Sequence, residues 1–206
     1  MSNSEIDLDG KQLTDVDIDI ICRKAIIEKK SSKLRLQKNK ISGKGATVIA
    51  NTLYNNSTLI ELYLSKNQIS DIGVHALAQT LAVNNSTLKI LDLYSNSITD
   101  DGVEYLSEML KINKSLTRLG LGFNQITDHG VRLLTNAIIY FNGSLQYLAL
   151  PSNKLITDKS VPFIIEMLKC NSSLNTLWLN DCNLSSTTIV QLKEEAKTKE
   201  NFTFEV

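Results

Sequence analysis

No apolar run in the 206 residues approaches the roughly 20 needed to span a bilayer, so no membrane span is expected. The opening segment, MSNSEIDLDG, is acidic and carries no apolar h-region. No signal peptide is therefore expected, and the cytoplasm is the expected compartment. Cysteine is scarce and odd in number. Cys22, Cys170 and Cys182 fit no CxxC spacing, which predicts reduced thiols rather than a disulfide framework. An excess of either charge is missing too: 22 Lys plus Arg stand against 22 Asp plus Glu. That balance gives no general attraction to nucleic acid or to an acidic membrane, and neither is expected as a partner.

Catalytic motifs are also missing. The chain holds no G-x-S-x-G, no phosphate loop and no dinucleotide fingerprint; Gly120 and Gly122 fall inside a strand pattern. The two histidines, His75 and His129, sit at different offsets on helical segments and form no metal pair. The expectation is a protein that is not an enzyme, with no catalytic residues, no metal and no cofactor.

Apolar residues, by contrast, make up 42% of the chain, enough for a sizeable core. They recur. Leu116, Leu119, Leu121, Asn124, Ile126 and Gly130 repeat as Leu59, Leu62, Leu64, Asn67, Ile69 and Gly73, and again as Leu88, Leu91, Leu93, Asn96, Ile98 and Gly102. Asn39, Asn67, Asn96, Asn124 and Asn153 are separated by 28, 29, 28 and 29 residues, and Cys182 follows 29 later. A fixed period in this range marks a solenoid. Within one unit, Leu119-x-Leu121 alternates as a short strand does. Val131, Leu134 and Ile138 then recur at helical spacing, as Leu77 and Leu81 do in an earlier unit. Thr99, Thr127 and Thr157, each followed by Asp, suit helix N-caps.

The pattern L-x-x-L-x-L-x-x-N-x-I/L resembles leucine-rich repeats. The 28- and 29-residue units, with a helix after the glycine, resemble the ribonuclease-inhibitor-like class, which includes the repeat domains of NOD-like receptors and the Ran GTPase-activating protein. The resemblance covers about residues 31–200. It implies an α/β solenoid, a horseshoe with a parallel β-sheet on the concave face and helices on the convex face. One domain, 1–206, is expected. Residues 1–30 form a capping unit, with Asp17–Glu28 as a helix burying Ile18, Ile21, Cys22 and Ile26. Residues 31–200 form six repeats, with Leu155 taking the isoleucine position of the fifth and Ser160 its glycine position. Residues 201–206 form a capping strand, in which Phe202, Phe204 and Val206 alternate.

The column Asn39, Asn67, Asn96, Asn124, Asn153 and Cys182 is expected to be structural. An inward amide offers two donors and an acceptor to the backbone that turns after each strand, and Cys182 fits the last slot as a small, weak donor. Glycosylation patterns at 55–58, 84–87, 113–115, 142–144 and 171–173 are expected to mark helix ends rather than glycan sites. Residues 21–44 carry nine basic residues against Glu28 alone, after an acidic stretch over 1–20. This reads either as a basic docking patch or as solvated faces of both signs.

Function is expected in the positions that the repeat leaves free. Those facing the concave surface include Arg35, Tyr63, Asp92, Tyr94, Arg118, Phe123, Tyr147 and Trp178, rich in the aromatic and arginine side chains of binding hot spots. Gly120, Gly122 and Ala149 are expected to form a shallow floor between them, and Tyr94 and Trp178 to be removable at little cost to stability. The expected function is a module binding a protein partner on this face, as adaptor, sensor or effector. A regulator of a small GTPase, like the Ran-activating protein, is the alternative, as is the recognition part of a larger protein. A monomer is expected, or a weak dimer through the edge strand Phe202–Val206.

Overall fold

A computed structural model of the chain describes residues 4–206. Eight parallel strands stand in one sheet in chain order: β1 (Glu5–Asp7), β2 (Lys33–Arg35), β3 (Glu61–Tyr63), β4 (Ile90–Asp92), β5 (Arg118–Gly120), β6 (Tyr147–Ala149), β7 (Thr176–Trp178) and β8 (Thr203–Glu205). Between them run α1 (Asp15–Cys22), α2 (Gly43–Leu53), α3 (Ser70–Val83), α4 (Asp100–Ile112), α5 (Asp128–Tyr140), α6 (Val161–Cys170) and α7 (Ser186–Ala196). The fold is an α/β solenoid with the sheet on its concave side and the helices outside.

The register follows from the leucines. Each strand is three residues long, and its middle residue pairs with the middle residue of the next. Leu34, Leu62, Leu91, Leu119, Leu148 and Leu177 thus form one column, ending on Phe204. All six leucines are buried, so a slip of one residue would turn them outward. A second column of Leu36, Leu64, Leu93, Leu121, Leu150 and Leu179 lies beside the first, and the apolar faces of the helices close over both.

The fifth isoleucine position is occupied differently from the sequence reading. Ile156 is fully buried, in line with Ile41, Ile69, Ile98 and Ile126, while Leu155 is 52% exposed. The extra residue of that unit therefore precedes the apolar position and pushes Leu155 to the surface. Where Ser160 replaces the glycine, the first turn is a 3₁₀ turn (Asp158–Ser160). The helix expected over 17–28 begins at Asp15 and changes to a π-helix over Arg23–Glu28. Ile18, Cys22, Ala25 and Ile26 are buried, and Ile21 is only partly so.

Polar ladders hold the units together. Each column asparagine donates to the preceding strand's carbonyl and accepts from a preceding-unit N–H. Asn67 Nδ2 donates to Leu36 O and Leu64 O, both at 2.9 Å, and its Oδ1 accepts from Ile41 N–H at 3.1 Å. Cys182 supplies one weak bond in this slot, Sγ to Leu150 O at 3.4 Å. A second asparagine column stands at the return loops, on the glycosylation patterns. Asn113 Nδ2 donates to Leu81 O (2.7 Å), and its Oδ1 accepts from Ser115 and Leu116 N–H (2.9 and 2.8 Å). Asn85, Asn142 and Asn171 repeat this, and all four are buried. A buried amide with both ends engaged offers no nitrogen to a glycan.

A third ladder runs along the helix N-termini. Asp71, Asp100 and Asp128 each accept the backbone N–H and hydroxyl of the next unit's threonine, Thr99, Thr127 and Thr157. Those threonines also cap their helices. Two members of the glycine column have a cause here, since a Cβ on Gly102 or Gly130 would collide with Asp71 or Asp100, while one on Gly73 would meet Ile69 and Ala46.

Candidate functional site

On each strand the residues flanking the buried leucine face the concave side, because successive side chains alternate across the sheet. Over β3 to β7 this face holds a hollow of about 540 Å³, lined among others by Tyr63, Asp92, Tyr94, Arg118, Tyr147 and Trp178. That volume lies within the few hundred to thousand Å³ of ordinary ligand clefts, so it admits partner side chains.

Its walls are built differently on the two sides. At one end the Arg118 guanidinium lies 4.4 Å over the Tyr147 ring, and Tyr147 meets Trp178 edge-on at 5.1 Å. Arg118 is exposed and has no carboxylate within ion-pair distance among the described residues. The Trp178 indole N–H is buried and finds no acceptor. At the other end Tyr63 donates its hydroxyl to Glu61 at 2.9 Å. Burial, joined by that bond and the Glu61 charge, pushes the Tyr63 hydroxyl up to about 12. Burial likewise raises Tyr147. Both phenols therefore stay protonated as donors at neutral pH. Asp92, the hollow's carboxylate, is engaged from within the chain: one oxygen accepts Tyr94 N–H at 3.1 Å, the other the Ser65 hydroxyl.

Two of the expected residues lie outside the hollow. Arg35 is drawn into an acidic cluster, with Asp9 at 3.0 Å, Asp7 at 3.6 Å and Glu5 at 4.0 Å. Lys33 beside it reaches Glu61 at 3.3 Å. This part of the basic stretch is thus neutralised by Glu5, Asp7 and Asp9 before it and by Glu61 after it. Phe123 lies beyond the hollow, where it is 57% exposed and stacks on Tyr94 at 5.8 Å.

The floor also departs from expectation. Gly122 is buried, and a Cβ there would lie 2.7 Å from Pro151 Cγ and 2.8 Å from Tyr94 Cδ2. The Tyr94 and Pro151 rings crowd it; Gly120 also lines the floor, but a Cβ there would lie 2.7 Å from Asp92 Oδ1, and Ala149 beside it is only 6% exposed. Tyr94 and Trp178 are correspondingly partly buried rather than bare surface groups. The sequence reading left Lys66, Ile90 and Pro151 out of the site, though each lines the hollow. It also missed Tyr54, Val83, Ile112 and Phe141, an exposed row at the helix C-terminal ends with a constant 29-residue spacing.

Comparison with known proteins accounts for this architecture. A family model described as "Leucine Rich repeat" matches residues 55–78, 84–107 and 113–134. The chain is built of leucine-rich repeats. It is similar to the mouse (Mus musculus) NACHT, LRR and PYD domains-containing protein 9B, 35% identical over 162 residues, which is 79% of this chain and 16% of that protein. It is 32% identical over 179 residues to the bovine (Bos taurus) NACHT, LRR and PYD domains-containing protein 3, covering 85% of this chain and 17% of the other. These repeats thus span about a sixth of the length of the relatives they match. Among solved structures, the repeat fold is shared with leiomodin-1 actin-binding site 2 (TM-score 0.60, 21% identity, 74% of this chain and 87% of that one). It is also shared with the tropomodulin C-terminal domain of Caenorhabditis elegans (TM-score 0.59, 16% identity, 72% and 89%). The repeat model and the NACHT, LRR and PYD relatives support a protein-interaction module. Among the described residues no helix is long and apolar enough to cross a membrane, and no group of acidic, His and Cys side chains could hold a metal ion.

Proposed function

We propose that this leucine-rich-repeat chain is a non-catalytic recognition module of the ribonuclease-inhibitor-like class. It works in the cytoplasm and binds a protein partner through its concave face. The observation that carries the reading is the aromatic hollow over β3 to β7, where Tyr63, Tyr94, Tyr147 and Trp178 stand at positions the repeat does not require to be apolar. Large amphipathic rings supply contact area with few rotors to freeze, which is why they dominate binding energy at interfaces. The Asn and Asp ladders hold the strands in fixed register, so the rings are presented on a rigid frame.

The test is capture from source lysate with the wild type and Trp178→Ala in parallel, followed by affinity measurement on the partner recovered. Loss of binding with a melting curve that keeps a single folded transition supports the concave face. Unchanged affinity for both Trp178→Ala and Tyr94→Ala overturns it.

A further inference from the structure

The charges around the hollow name a partner chemistry, and this inference rests on the concave reading. Three cations line it, Lys38, Lys66 and Arg118, against one carboxylate, Asp92. The whole chain is neutral, so the excess is local. None of the three cations is ion-paired among the described residues, whereas the neighbouring Lys33 and Arg35 are both tied to acids. Asp92 already accepts two hydrogen bonds from Ser65 and Tyr94. The hollow is left with three cations that no carboxylate among the described residues pairs, while its own carboxylate is already engaged.

We infer that the hollow recognises an extended acidic peptide segment in which two carboxylates flank apolar side chains along one face, each borne by every second residue. One carboxylate meets Arg118, whose guanidinium is already oriented by stacking on Tyr147. A second meets Lys66. Between them an apolar side chain enters over Gly120 and Ala149, against Tyr63 and Trp178. Arg118 and Lys66 stand two strands and five residues apart in the sheet register, roughly 15–20 Å by strand spacing and rise. About five or six extended residues cover that span. Charged rims of this kind select a partner and its register more than they add raw affinity.

Trp178 is the single tryptophan of the chain and lines the hollow, so its fluorescence reports occupancy directly. The probes are three capped heptapeptides, Glu-Ser-Leu-Ser-Leu-Ser-Glu and its counterparts with Gln or with Lys in place of both Glu, so that the end groups and the leucines share one face of the extended chain. The Glu peptide is expected to shift the emission saturably, with the Gln peptide about tenfold weaker or more and the Lys peptide inert. Arg118→Gln and Lys66→Gln, both at exposed side chains, are expected to weaken the Glu peptide several-fold, and added salt to weaken it further. Equal binding of the Glu and Gln peptides, or binding of the Lys peptide, overturns the acidic preference while leaving a concave binding face in place. Emission unmoved by all three peptides overturns the acidic inference, while the concave reading stands or falls by the partner assay above. Undiminished binding in Arg118→Gln overturns the assigned contact.

Discussion

Asn96→Ala probes the ladder where it is driest. Asn96 is fully buried; its Nδ2 donates to Leu64 O at 2.9 Å and Tyr94 O at 3.3 Å, and its Oδ1 accepts Ile69 N–H at 3.2 Å. The three lost bonds are not equivalent. Leu64 O keeps the Asn67 amide at 2.9 Å, and Tyr94 O keeps Lys66 N–H at 2.7 Å. Ile69 N–H loses its acceptor, and a stranded buried donor costs about 1–3 kcal/mol. The small void left by the amide adds to this, so the expected total is about 2–4 kcal/mol. Cys182→Ala at the same position of the last repeat removes one 3.4 Å contact to Leu150 O, which keeps the Asn153 amide at 2.9 Å. That change should cost less than about 1 kcal/mol. Urea unfolding followed by helical circular dichroism gives both values, provided the two variants share the wild-type slope. A loss within about 0.5 kcal/mol for Asn96→Ala, or equal losses for the two variants, would show that the ladder does not hold the turn as argued.

Two further perturbations separate shape from chemistry. Gly122→Ala forces a methyl against Pro151 and Tyr94, and is expected to cost about 1–3 kcal/mol and to move the Tyr94 ring; a melting curve reads the first and partner or peptide affinity the second. Burial pushes the Cys22 and Cys182 thiols up from 9.0 to about 11. A raised acid favours the folded state fully while the thiol is neutral in both states, so this contribution is complete below about pH 9 and is lost as pH rises through about 11. Urea midpoints should fall across that window, and at pH 8 iodoacetamide should modify the exposed Cys170 well before buried Cys22. Equal labelling rates by mass spectrometry would contradict the burial.

Fold and site were legible in the sequence to different depths, for a physical reason. A leucine or asparagine in a stack serves the unit before and the unit after, so its identity recurs at the repeat period and can be read without coordinates. Asn67, which reaches back to Leu36 O and Ile41 N–H, is such a residue. The return-loop asparagines obey the same logic and recur as regularly; the sequence marks them as helix ends, and the reach of Asn113 back to Leu81 O is the partner that it does not name. The Asp71-to-Thr99 bond was half visible: the cap was expected, while the partner one unit away lay beyond any local pattern. Site residues are selected by a partner and not by the neighbouring repeats, so no period marks them. Alternation placed Arg35, Phe123 and Arg118 alike on one face. Their separation depends on events outside alternation: Asp9 meeting Arg35, Phe123 stacking on Tyr94, and Tyr147 lying under Arg118. Gly122 shows the limit most directly. Its missing side chain looked like room for a ligand, yet it is room already taken by Tyr94 and Pro151. A small residue in a sequence marks where something comes close, and only the packing shows whether that something belongs to the chain or to its partner.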